Sequence, residues 1–303
     1  MKQTDEAVFK KKLLELASRA NGSGRCTFTL FLGLAEQNIL RCAEKELSGV
    51  IRTEFGGADG CERIMVRFGD PEDCGYACPF PIRCIRAIPR SKKFAEQLTH
   101  RDILGSLMAL GIDRNRTGDI AVRENEIYIF CTEQIAPYIA ENFVSARRTD
   151  LSCDILPLPD TMEENGSPAP LLPPGLLFTL RTVQCNVASE RLDAVAAQVF
   201  RLSRGGELPE LLRSGKVFIN GRTVSDAGRV LKSGDIVSVR GCGRFVYRGI
   251  ERETKNPVFL LKRKFTADSA VLRLCISMPK ICIIPAGCAE YLHSGGVYVI
   301  IPL

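Results

Sequence analysis

The sequence predicts a multi-domain α+β protein, and three observations carry that prediction. Between Arg83 and Leu156 the apolar pattern alternates in the order strand, helix, strand, strand, helix, strand. Between Ser189 and Phe245 it reads helix, helix, hairpin instead. Separating them, Leu156–Leu177 (LPLPDTMEENGSPAPLLPPGLL) holds six of the sixteen prolines and a short acidic cluster, the composition of a semi-rigid linker. At 303 residues the chain is long enough for two or three domains with separate cores. With 45% apolar and 25% charged residues, wholesale disorder is excluded.

The start, MKQTDEAVFKKKLLELASRA, reads as an amphipathic helix, because it lacks the apolar centre and small-residue cleavage pattern of a signal peptide. No run reaches eighteen apolar residues, so no membrane span is expected. NGSGR breaks the helix, and Cys26–Phe31 is expected to be extended. Ala35–Leu47 follows as a helix with Ile39, Leu40, Ala43 and Leu47 on its apolar side. Val50–Phe55 and Arg63–Phe68 read as strands joined by a turn at GGADG, which lacks the Lys-Ser/Thr of a phosphate-binding loop. Asp70–Pro81 is a proline- and cysteine-rich loop. These residues, 1–82, form an N-terminal α/β segment.

In the middle segment, residues 83–156, Arg83–Ile88 is the first strand. Thr99 caps a helix, Asp102 completes a capping box, and Gly111 ends the helix. Asp119–Arg123 and Glu126–Cys131 pair around Glu124-Asn125; Glu133–Phe143 is the second helix and Leu151–Leu156 the last strand. This is the split βαβ order of ferredoxin-like and RRM-type domains. Ile127, Ile129 and Cys131 take the helix-covered face, leaving Tyr128 and Phe130 on the face where RRM domains stack bases. The RRM consensus is absent, and cover by the N-terminal segment is the preferred expectation for that aromatic pair.

Past the linker, residues 157–180, Leu192, Val195, Ala196, Val199 and Phe200 mark one helical face, and Leu208, Leu211 and Leu212 begin another that stops at Gly215. Pro209 belongs in the first turn of that second helix, its expected first position. Val217 and Ile219 alternate with Phe218 in a strand, and Asn220-Gly221 supplies the positive φ angles of a two-residue hairpin turn. From Arg181 to Lys264 there are seventeen Lys or Arg against eight Asp or Glu, a net +9, so the rest of a chain of total charge +6 carries −3. Such asymmetry is the footprint of a nucleic-acid face; a solvated basic surface is the alternative that composition leaves open.

The pieces ERLDA, LSR, SGKVFINGRTV and LKSGDIVSVRGCGRF, in order over about fifty-five residues, resemble the RNA-binding domain first seen in ribosomal protein S-four, an αL-type module assigned here to residues 181–264. The match departs at Gly205-Gly206 and Pro209, where about one residue is extra. FGGADGCER, THRDILGSLMALGI and RNRTGDIAV extend the resemblance, from about Leu32 to Lys264, to the bacterial YlmH family of S-four-domain proteins. That resemblance implies a second RNA-binding domain in the middle region, association with ribosomal RNA of the large subunit, and a client subunit still holding peptidyl-tRNA after a stalled ribosome has split. The expected protein is a cytoplasmic monomer with ribosomal RNA, the large subunit and tRNA as partners, and without membrane, cofactor or metal.

Arg191, Arg204, Arg213, Lys216, Asn220, Arg222, Arg240 and Arg244 are the expected RNA-binding residues, supplying phosphate contacts with selectivity from RNA shape. Arg191 and Asp193 have the alternative of a salt bridge and cap on the first helix, and Asn220 that of a turn residue. No catalytic residue is expected. An RNA-modifying enzyme is the competing class, but Asp193 belongs to the S-four helix and no glycine-rich cofactor loop follows a strand; a protein-interaction adaptor is the third. His100, in the first turn of a helix, reads as structural or RNA-facing. Thirteen cysteines, an odd number without a secretory signal, fit a reducing compartment. The closest three, Cys74, Cys78 and Cys84, lack the second ligand pair of a structural zinc site and read as thiols. Residues 265–303 form an apolar tail that could add strands, anchor a partner, or extend the reading frame without a selected fold.

Overall fold

The structure, a computed structural model, describes residues 3–75, 78–91, 93, 95–123, 126–157, 170–172, 179–252 and 258–265. They form two compact units, one from the described residues that precede Thr179 and the other from Thr179–Phe265.

The first unit begins with helix α1 (Gln3–Ser23), whose Leu13, Ala17 and Ala20 are buried at helical spacing. Strand β1 (Thr27–Phe28), helix α2 (Leu34–Cys42) and strands β2 (Arg52–Phe55) and β3 (Met65–Phe68) follow, giving an antiparallel sheet in the order β1-β3-β2. Ile39, Leu40, Ala43 and Leu47 are buried with Leu13, Ala17, Val66 and Phe68. The helix nevertheless stops at Cys42, five residues short of expectation. The Ala43 amide there splits between the carbonyls of Ile39 and Leu40, and the chain tightens into turns. Inside the expected loop lies one helical turn, α3 (Pro71–Cys74): Asp70 Oδ1 accepts from the Glu72 amide at 3.0 Å, and Gly75, at φ +69°, ends it.

The middle segment runs β4 (Ile82–Pro89), α4 (His100–Ala109), β5 (Thr117–Arg123), β6 (Glu126–Thr132), a 3₁₀ turn (Glu133–Ile135) leading into α5 (Ala136–Asn142), then β7 (Ser145–Ala146) and β8 (Thr149–Ile155). The strands are antiparallel in the order β5-β6-β4-β8-β7. The Thr99 capping box forms as expected: the Thr99 amide donates to Asp102 Oδ2 at 2.9 Å and the Asp102 amide to Thr99 Oγ1 at 3.4 Å. One sheet face packs Ile85, Ala87, Ile127, Ile129 and Cys131 against Ile103, Leu107, Ile139 and Phe143 of the helices. The opposite face, with Ile82, Cys84, Tyr128 and Phe130, is sealed by Phe31, Ala58 and Met65 from the N-terminal segment. Leu172 joins this second core and the Leu171 amide donates to the Gly57 carbonyl at 2.7 Å, so Leu171 and Leu172, assigned to the linker by composition, dock instead. Residues 158–169 and 173–178 of that expected linker lie outside the described residues.

The second unit contains β9 (Thr179–Asn186), α6 (Leu192–Phe200), α7 (Glu207–Arg213), β10 (Val217–Ile219), β11 (Arg222–Thr223), β12 (Ile236–Val239), β13 (Gly243–Arg252) and β14 (Val258–Phe265), with sheet order β11-β10-β12-β13-β14-β9. Leu192, Val195, Ala196, Leu208 and Leu212 pack on Val217, Ile219, Val237, Val239 and Phe245. Pro209 sits third in α7 rather than first, still within the turn whose amides have no intrahelical acceptor. Asn220 and Gly221 take φ of +50° and +77°, the two left-handed residues a type I′ hairpin requires. Strand β14 pairs with β9 from Val258↔Asn186 to Phe265↔Thr179. The apolar tail, 266–303, lies outside the described residues.

Gly57, at φ +103°, lets the N-terminal loop lie against the Phe130 ring, which a Cβ there would overlap. Gly57→Ala is therefore expected to destabilise the first unit by about 3 kcal/mol, from overpacking plus backbone strain. Urea unfolding followed by circular dichroism checks this, and an unshifted midpoint would refute the packing argument.

Candidate nucleic-acid interface

The aromatic face of the middle sheet is committed to packing. Phe130 is fully buried and Tyr128 6% exposed, with the Tyr128 hydroxyl donating to Glu126 Oε2 at 2.6 Å and Arg86 pairing with the other Glu126 oxygen. A polar lock fastens the covering segment. Buried Asp119 accepts the Glu62 amide at 2.5 Å and the Arg63 amide at 3.3 Å. Arg63 in turn donates to the carbonyls of Thr117, Phe31 and Arg114, each at 3.0 Å. Arg114 donates to the Thr117 and Gly118 carbonyls, and burial, with Arg63 beside it, pulls its guanidinium down to about 10. These two arginines hold backbone together and do not present an open cationic surface.

In the second unit two arginines that flank α6 converge on one carboxylate. Asp193 opens α6, and Arg191, the residue before that helix, reaches it through Nε and a terminal nitrogen at 3.1 and 3.3 Å. Arg204, from the connection into α7, reaches Asp193 Oδ2 at 3.1 Å. Burial pushes the Asp193 carboxyl up, but hydrogen bonds from Arg191, Arg204 and the Ala194 amide outweigh it and hold the group below the usual carboxylate range. The salt-bridge alternative for Arg191 is thus realised, yet both guanidinium groups stay half-exposed, at 50% and 54% of their side-chain surface. Two cations sharing one anion leave a net positive charge, held in a set orientation. Arg213, at the end of α7, is exposed, and Lys216 follows just beyond it.

A second basic group lies on the sheet. Ser238 pairs with Phe218 on one side and Arg244 on the other, so all three share the face opposite Val217, Ile219, Val237 and Val239. Arg240 stacks over the Phe218 ring at 5.0 Å and joins Lys216 through a 2.9 Å backbone bond. Arg244 is half-buried, donating from Nε to Ser238 Oγ at 2.6 Å, and burial lowers its pKa. Phe218 is a member of this group that sequence reasoning left unassigned; its alternation against Val217 and Ile219 was the signal available. Arg222 is exposed at the hairpin. The turn-residue alternative for Asn220 is realised: its amide nitrogen donates to Asp235 Oδ1 at 2.7 Å and its oxygen accepts the Ile236 amide at 2.9 Å, so its side chain braces the turn. His100 is half-buried at the start of α4.

The cysteine expectation is also regrouped. Cys84 is buried in the second core, where burial above all, with Cys131 and Cys61 nearby, pushes its thiol up. Cys26, distant in sequence, takes its place beside Cys74 and Cys78.

The fold and this charge distribution define a two-unit α+β protein whose middle segment is of a known domain type: residues 80–160 match the family described as "Putative RNA-binding domain in YlmH". Over 256 residues the chain is 29% identical to the "Ribosome-associated protein quality control protein P2" of Bacillus subtilis (strain 168), covering 83% of this chain and 91% of that protein. A solved structure, "Cell division protein ylmH from Streptococcus pneumoniae", aligns with 50% of this chain and 92% of its own at 23% identity and a TM-score of 0.40. In its middle segment the chain is thus similar to proteins of the YlmH family.

Because the folded pKa of Asp193 is depressed, its contribution to stability is complete well above the unfolded value of about 3.9 and is lost as pH falls through the folded value. Asp193→Asn should therefore destabilise the second unit at pH 7, with the difference from the parent protein shrinking below about pH 4. Urea unfolding at pH 7 and pH 3 checks it; a pH-independent difference would contradict the carboxylate's role.

Proposed function

We propose that this chain is a non-catalytic RNA-binding protein of the ribosome, a cytoplasmic monomer whose S-four module, residues 181–264, grips folded ribosomal RNA of the large subunit. Its client is a large subunit still carrying peptidyl-tRNA after a stalled ribosome has split. The observation that carries the reading is the paired Arg191 and Arg204 held half-exposed on Asp193, in a module of net charge +9. The near full-length likeness to a relative named for ribosome-associated quality control supports the ribosomal setting. Arg213, Lys216 and Arg222 extend the phosphate-contacting surface, Arg240 and Arg244 add a sheet-borne part, and Asn220 serves by shaping the hairpin.

The middle segment, residues 83–156, is read as an RRM-like domain that departs from base stacking. Tyr128 and Phe130 are occupied by packing, so RNA contact by this domain runs through its other surfaces. The three-dimensional argument for RNA rather than a protein adaptor is electrostatic. Phosphate contacts release counterions and make affinity fall steeply with salt.

Arg204→Ala and Arg213→Ala together are expected to weaken binding to large-subunit ribosomal RNA across sequences, and to flatten the log K against log[salt] slope by about 1 for each phosphate no longer neutralised. Filter binding across a salt series and co-sedimentation with large subunits read this out. Unchanged sedimentation would overturn the assignment, and a salt-independent interaction would favour the adaptor class.

A further inference from the structure

Cys26 lies just before β1, Cys74 ends α3, and Cys78 follows in the same loop; their Sγ atoms all lie within 4.8 Å of one another. Cys26 Sγ and Cys74 Sγ are 3.6 Å apart although 48 residues separate them. Zinc–sulfur bonds of about 2.3 Å arranged tetrahedrally place sulfur atoms about 3.8 Å apart, so this spacing approximates three corners of such a site. The backbone is shaped to bring them together. Gly69, at φ +99°, lies where a Cβ would come 3.4 Å from Cys26 Cα, and Gly75, at φ +69°, turns the chain immediately after Cys74. Cys78 is buried, and Cys26 and Cys74 are half-buried.

A second observation comes from Arg67 of β3, which is only 4% exposed. Its guanidinium donates to the Cys78 carbonyl at 2.9 Å and to Thr53 Oγ1 at 3.1 Å, and lies 5.4 Å from the centre of the Phe80 ring. Its buried Nε has no hydrogen-bond partner, and among the described residues no carboxylate forms an ion pair with it. A buried cation is costly unless an anion balances it. A divalent ion on three thiolates is such an anion, with net charge −1, and it would form beside the loop that Arg67 already holds.

We propose that Cys26, Cys74 and Cys78 form a zinc(II) site: three thiolate ligands, a fourth position for water or another small donor, and Arg67 as its balancing cation. Each thiol gives its proton to solvent as its sulfur binds, and no oxidation state changes. The site is a structural clamp. It ties the chain entering β1 to the α3 loop, within the segment whose Phe31 and Met65 cover Phe130 of the middle sheet. Soft thiolate ligands favour zinc over magnesium or calcium.

The test uses the full chain, freed of metal with a chelator under reductant and titrated with cobalt(II), then zinc(II). One equivalent of cobalt should give thiolate charge-transfer absorption and the intense visible bands of a tetrahedral centre, zinc should displace it, and zinc should raise the melting temperature. Cys26→Ser, Cys74→Ser and Cys78→Ser should each abolish the stoichiometric signal while far-ultraviolet circular dichroism stays that of the folded chain. Arg67→Met should weaken zinc affinity roughly ten- to a hundredfold, as for other outer-shell partners. Cys42→Ser, and the combined Cys275→Ser, Cys282→Ser and Cys288→Ser variant, should bind as the parent does. Absence of a one-equivalent signal in the parent chain overturns the proposal, as does binding that survives both Cys26→Ser and Cys74→Ser or is lost with the three tail cysteines. A Cys26–Cys74 disulfide in protein whose thiols were trapped at lysis also overturns it, by assigning the pair to redox chemistry instead.

Discussion

Burial of both faces of β6 is the constraint on which the first unit depends. Ile127, Ile129 and Cys131 belong to the helix-side core, while Tyr128 and Phe130, the residues between them, belong to a second core. A strand so placed cannot leave its aromatics to solvent or to bases. It must be met by another layer, and the N-terminal segment supplies Phe31, Ala58 and Met65. Close approach needs two glycines: a Cβ at Gly57 would overlap Phe130, and one at Gly118 would stand 2.7 Å from the Phe31 ring. Asp119 and Arg63 then satisfy the backbone groups at the seam, where an unpaired buried donor or acceptor would cost about 1–3 kcal/mol. Fusion of the N-terminal and middle segments into one unit follows from this.

The second unit follows a different principle, since its core is ordinary and its polar surface is specialised. Asp193 carries one negative charge between two arginines, so Arg191 and Arg204 are oriented without being neutralised. On the sheet, Phe218 gives Arg240 a flat surface to lie on, and Ser238 holds Arg244. Guanidinium groups restrained in this way lose less rotamer freedom when a phosphate arrives than free side chains would. Asn220, by contrast, spends both ends of its amide on Asp235 and Ile236 and shapes the surface instead of forming it.

Several local signals were legible in the sequence. The Thr99–Asp102 capping box, the Asn220-Gly221 turn and the apolar stripe of α6 each depend on residues within one or two turns of one another, and each forms. The alternation of Ile127, Ile129 and Cys131 against Tyr128 and Phe130 was equally plain, and it pointed to the covering by the N-terminal segment. What escaped was set by partners far along the chain. The β9–β14 pairing joins strands about eighty residues apart, Leu171 and Leu172 dock on the loop at Gly57, and Cys26 displaces Cys84 from the cysteine group.

By itself, then, the sequence determined most of the helices, the hydrophobic faces of the elements it marked, and the concentration of positive charge between Arg181 and Lys264. Those properties follow from periodicity, capping and composition, which need no knowledge of distant neighbours. Only the tertiary structure decided which faces meet and which charges share a counter-charge. It buried the middle sheet's aromatics, turned Asn220 inward, and set Arg191 and Arg204 on one carboxylate. The reason is physical: burial and ion pairing are properties of surfaces that touch, and chain order does not record which surfaces those are.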